Sequence, residues 1–202
     1  MPKGGWGTRK VVGLIALTLV VIAVAGFVVT RLMPSPKITL PVPPGWQKAS
    51  EDLQKQLSQS LDGKTTLDYA FVNSISGNVM AVVHGKVSGA PPETSDVAEV
   101  EKYLRENGAD FKAGFLLGAE DAGANGPSID GLELTAEKLA CGIAAVKLTG
   151  TMSYLGSTSL QLESFLIVKS GTTFMAMAMK PPGSSLEAEM EFFKENISFG
   201  SK

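Results

Sequence analysis

The chain reads as an α+β protein: a single N-terminal transmembrane helix, then an antiparallel β-sheet domain packed with about three helices. Three observations predict this. Val11 to Thr30 is a run of twenty positions with no charged, amide or imidazole side chain. From Leu132 to Lys180 the sequence offers four consecutive strand-like segments, the last two bounded by Gly-Ser and Ser-Gly turns. Residues 50–61, 95–107 and 184–197 each carry an apolar stripe at helical spacing.

At about 1.5 Å of rise per residue, twenty helical residues reach roughly 30 Å, the hydrocarbon thickness of a bilayer. Thirteen of the twenty are Val, Leu, Ile or Phe, and only Thr18 and Thr30 carry polar side chains. The predicted span covers residues 11–32. No ionisable group interrupts it, so it reads as a plain anchor in the lipid bilayer rather than a proton or ion path. Lys3, Arg9 and Lys10 precede it, against Arg31 and Lys37 after it. That balance predicts a cytoplasmic basic tail over residues 1–10 and a main domain outside the cell membrane. The alternative is a cleaved signal peptide, with Ala23-Val24-Ala25 before Gly26 as a small-x-small site near Ala25 and a secreted or periplasmic product. The apolar run continues through Phe27, Val28 and Val29, longer than a signal h-region, which favours the uncleaved anchor.

Charge divides the same way. Residues 1–37 hold five basic and no acidic side chains, whereas the rest holds thirteen basic and twenty acidic ones. A net-acidic domain with no basic stripe excludes nucleic acid as its partner. The only cysteine is Cys141, so no internal disulfide can form and stability must come from packing.

Pro34, Pro36, Pro41, Pro43 and Pro44 make residues 33–45 a stiff spacer, with a short strand at Ile38-Thr39-Leu40. The α+β domain is then expected over residues 46–200, introduced by Trp46. Leu53, Leu57 and Leu61 predict a helix over residues 50–61. Strands follow over Thr66–Asn73 and Val79–Lys86; the second is apolar on both faces and therefore central. Asp96 and Glu99 at capping-box spacing open a helix whose stripe is Val97, Val100 and Leu104, with Gly108 as its stop. Gly114 to Gly131 reads as the longest loop, with a short strand at Phe115-Leu116-Leu117. Strands are expected at Leu132–Leu139, Ala144–Leu155, Thr158–Lys169 and Thr172–Lys180. A last helix opens at Ser184 and buries Leu186, Met190, Phe193 and Ile197.

Candidate sites are few. A Ser-His-Asp or Cys-His hydrolase would have to use His84, the sole histidine, but its apolar strand favours a structural role. Cys141 has no CxxC partner and is expected to be a buried, inert thiol. The loop from Glu120 to Asp130 has Asn125 and Gly126 where a calcium loop begun at Asp121 would want them, but Gly123 and Leu132 fall at ligand positions. The glycines at 114, 118, 123 and 126 fit no phosphate-binding spacing. Met175, Met177 and Met179 share one sheet face, opposite Phe174, Ala176 and Ala178. That face could be a pliable binding surface or a copper(I) site, and reads first as the core face beneath the last helix. No catalytic residue, cofactor or metal is expected.

The opening Leu40-Pro-Val-Pro-Pro-Gly-Trp46 and the closing Asn196-Ile-Ser-Phe199 bracket a strand pair, a helix, an antiparallel run and a final helix. This order resembles the PsbP-like fold family over residues 38–199. The resemblance implies a fold, and none of that family's functional residues map onto this chain. The expected function is a non-enzymatic protein-binding or assembly module held outside the membrane by Val11 to Thr30. A carrier or sensor of an apolar ligand is the alternative, and a hydrolase using His84 the third.

Overall fold

The computed structural model describes residues 36–52, 54–55, 65–73, 75–76, 78–85, 89–120, 128–154, 158–181 and 185–200. The expected anchor over residues 11–32, the basic tail, and most of the helix expected over residues 50–61 lie outside these. Among the described residues no helix is long and apolar enough to cross a membrane.

The elements run β1 (Lys37–Thr39), β2 (Gln47–Lys48), β3 (Thr66–Val72), β4 (Val79–Gly85), α1 (Val97–Glu120), β5 (Ser128–Lys138), β6 (Ala144–Tyr154), β7 (Thr158–Lys169), β8 (Thr172–Lys180), α2 (Glu187–Asn196) and β9 (Ser198–Gly200). Residues 51, 52, 54 and 55 are helical as well. One antiparallel sheet takes the order β2-β3-β4-β8-β7-β6-β5, and β1 pairs with β9 in a two-stranded ribbon. The α+β class and the antiparallel strands thus stand as expected.

β4 and β8 lie at the centre because both of their faces are apolar. Val79, Ala81 and Val83 pair with Met179, Met177 and Met175. With Leu148, Leu162, Leu166 and the α1 residues Val100 and Phe115 they form one buried cluster. On the opposite face Met80, Val82, Phe165, Phe174, Ala176 and Ala178 join Leu186, Met190, Phe193 and Ile197. Methyl side chains at 176 and 178 leave room there for the large residues of α2. The methionine face is therefore not the one the last helix covers. It belongs to the cluster that contains α1, and α2 lies on the alanine face.

A second correction concerns α1. Gly108 does not stop it, and Phe115-Leu116-Leu117 is helix rather than strand: α1 runs through to Glu120 and β5 begins at Ser128, ahead of Leu132. The stripe Val97, Val100, Leu104 continues through Gly108 to Phe111 and Phe115, and its apolar members pack on β5 and β6. Burial of that stripe outweighs the roughly 1 kcal/mol cost of a helical glycine. At its start Asp96 Oδ1 accepts the Ala98 amide at 2.9 Å, as a capping residue should.

From Lys37 onward the proline-rich stretch is part of the domain. Ile38 and Leu40 are buried, the Tyr69 hydroxyl donates to the Ile38 carbonyl at 3.2 Å, and Trp46 packs against the α2-side core. The Trp46 amide closes a turn onto Pro43 O at 3.0 Å, with Gly45 supplying a φ of 78°. α2 opens with the Ser185 hydroxyl accepting the Glu187 amide at 3.1 Å, three residues after the expected start.

Candidate functional site

His84 is the penultimate residue of β4, on the α2 side of the sheet. β3 is irregular opposite it: the register shifts between Leu67 and Tyr69, which makes Asp68 the extra residue of a bulge. The bulge turns Asp68 toward His84, and Asp68 Oδ2 lies 2.8 Å from His84 Nδ1. A carboxylate only accepts, so Nδ1 carries the hydrogen. Both side chains are mostly buried, at 18% and 19% exposure. The imidazole leans on Phe174 with centroids 5.4 Å apart, and Phe174 meets Phe199 edge-on at 5.1 Å. A histidine oriented by a carboxylate has the geometry that a base and its orienting acid would need, and serves equally to satisfy a mostly buried imidazole. Among the described residues no hydroxyl or thiol hydrogen-bonds to His84.

Cys141 is exposed in the turn between β5 and β6, not buried as expected. The Gly142 amide bonding back to Leu139 O at 2.9 Å makes that turn tight, which leaves the Cys141 side chain outside the core. No group of three or more His, Cys, Asp or Glu side chains among the described residues could hold a metal ion. The Glu120–Asp130 loop falls mainly outside the described residues.

Two features escape sequence reasoning. Ser164 is fully buried in the methionine face, opposite Met177 and Leu148, and its Oγ has no hydrogen-bond partner among the described residues. On the other face Lys147 Nζ sits 3.5 Å from Glu137 and 3.3 Å from Glu163, and Lys194 of α2 reaches Glu137 at 3.5 Å. Nearby, Lys180 Nζ lies 2.9 Å from Glu189 Oε2 and donates to the Ser185 carbonyl. The Lys194–Glu137 and Lys180–Glu189 pairs fasten α2 to the sheet, while Lys147 ties β6 to β5 and β7. Both features depend on the register between neighbouring strands, which no local pattern announces.

β5 forms one edge of the large sheet and is eleven residues long. Its backbone pairs with β6 on one side; on the other it has no backbone partner among the described residues. Asp130, Glu133 and Glu137 share the face away from α1, each opposite a β6 residue of that face. Glu137 is held by its two lysines, whereas Asp130 and Glu133 are exposed and have no ion pair among the described residues. Leu134 and Ala136, half-buried, point to the α1 side.

No family model matches the chain, so the PsbP-like resemblance has no family match beside it, and no curated protein matches either. Among solved structures, the chain is similar to "Crystal structure of LpqN involved in cell envelope biogenesis of Mycobacterium tuberculosis", at a TM-score of 0.46 and 16% identity over 83% of this chain and 85% of that one.

Proposed function

We propose that the domain is a non-enzymatic protein-binding or assembly module of PsbP-like type, tethered outside the cell membrane by Val11 to Thr30. The observation that carries this reading is the edge of β5, which has no backbone partner among the described residues. Both faces of the central strands are filled by the chain's own side chains. Backbone groups left unpaired along an edge are the surface a sheet offers to another polypeptide. The acidic character of the domain makes protein a better-suited partner than nucleic acid. Crosslinking of the full-length protein in native membranes tests it. A reproducible protein partner is expected; substrate turnover by the purified protein, with no partner recovered, would refute it.

The buried Ser164 hydroxyl favours a second reading, a carrier of an apolar ligand with one polar group. Such a group could complete the hydrogen bond that Ser164 lacks, with Met175, Met177 and Met179 adapting around the apolar part. Native mass spectrometry of the full-length protein released from membranes should then show retained ligand mass that disappears in Ser164→Ala.

A further inference from the structure

We infer that β5 receives an extended strand from a partner in which basic and apolar residues alternate; this rests on the protein-binding reading above. The chemistry follows from what the edge presents on each side. Toward α1 an added strand would meet the half-buried Leu134 and Ala136, with Phe111 and Leu116 of α1 packed on the same cluster. On the other side it would meet the exposed carboxylates of Asp130 and Glu133. Side chains of a strand point alternately to the two faces, so one partner strand satisfies both by alternating apolar and cationic residues. The register between β5 and β6 shifts between Asp130 and Glu133, and from Glu133 to Lys138 it is continuous, giving a regular template of six residues.

A bulge and a row of charges also protect an edge against uncontrolled pairing. That protection is selective. A second copy docking antiparallel about Glu133 would set that unpaired carboxylate against its own counterpart, and like charges directly opposite are destabilising. A strand bearing Lys or Arg meets attraction at the same position. Glu137 is already occupied by Lys147 and Lys194. Recognition therefore falls to Asp130 and Glu133.

The test uses the full-length protein in detergent micelles and a fluorescent nine-residue peptide of alternating valine and lysine. Fluorescence anisotropy should show saturable binding that weakens at least tenfold in Asp130→Lys/Glu133→Lys. A valine–glutamate peptide should prefer that variant to the wild type. A block peptide of the same valine and lysine content should bind the wild type at least tenfold more weakly. Equal binding of the alternating and block peptides, equal binding by the variant, or no binding overturns the proposal. A photo-crosslinking amino acid at position 135, and separately at position 75 on the exposed β3–β4 turn, distinguishes the two levels in native membranes. Crosslinks from position 135 to a basic–apolar segment, lost in the charge-reversed variant, support the edge. A partner reached only from position 75 overturns the edge and leaves the binding reading intact. No partner from either position removes both.

Discussion

Glu93 Oε2 accepts the backbone amide of Ser170 at 2.6 Å, while its other oxygen takes Lys169 Nζ at 2.9 Å. One carboxylate thereby holds the β7–β8 hairpin from a loop 77 residues away in sequence. The turn it holds is demanding, because Ser170 and Gly171 have φ of 49° and 68°.

Burial acts to raise the Glu93 pKa, but the hydrogen bonds from Lys169 and Ser170 and the lysine charge outweigh it, and the net shift is downward. A carboxylate whose folded pKa is lowered contributes stability above its unfolded value and loses it as pH falls through the folded one. Glu93→Gln should therefore lower stability at neutral pH by about 1 kcal/mol, a figure already discounted for solvent screening of a partly exposed pair. In urea melts the gap between wild type and variant should close progressively below the ordinary glutamate range. A gap that stays constant down to strongly acidic pH would refute this account.

Asp68→Ala removes the acceptor of a mostly buried imidazole N–H, and a loss of about 1–2 kcal/mol is expected. Asp68→Asn keeps an oxygen in place and should lose less. Chemical denaturation of the two variants checks the order, and equal losses would show that the hydrogen bond is not what Asp68 provides.

Ser164→Ala deletes a buried hydroxyl that lacks a partner, without opening a large cavity. The ligand-free protein should gain about 1 kcal/mol. If the melting midpoint instead falls, the hydroxyl has a partner in solution.

Gly108→Ala adds a methyl group whose nearest contact is Leu104 Cβ at 3.9 Å, an ordinary van der Waals distance. Because Gly108 lies inside α1, the substitution should stabilise by about 0.5–1 kcal/mol through helix propensity and reduced unfolded-state freedom. Circular-dichroism thermal melts would show the rise, and a fall would mean that the glycine serves α1 in another way.

Most strands were legible because alternation and turn residues coincide from Ala144 to Lys180, and because the two apolar faces of Val79–Gly85 demand a central place. The same alternation could not say which helix covers which face. It sorts Met175 from Ala176, but the assignment of α1 and α2 depends on how the chain crosses the sheet. Gly108 and Gly114 were misleading for a different reason: a glycine is a weak local signal, and the apolar spacing from Val97 to Phe115 overrides it. The His84–Asp68 pair needs a bulge, and the Lys147 network needs three strands in register. Neither leaves a mark on neighbouring residues in the sequence. Cys141 is exposed because it sits in a tight turn, about which the general tendency of cysteine to be buried says nothing.

The β1–β9 ribbon sets an order of events during synthesis. Lys37 pairs with Gly200 and Ile38 with Phe199, so the earliest strand of the domain has no mate until the latest one has left the ribosome. Ile38 and Leu40 share a buried cluster with Phe71, Met80 and Phe174, so it is the backbone pairing of β1, and not all of its burial, that waits for β9. The ribbon is also where the segment bearing the expected anchor enters the fold. A pull transmitted along that segment would reach these three residue pairs before any strand of the main sheet.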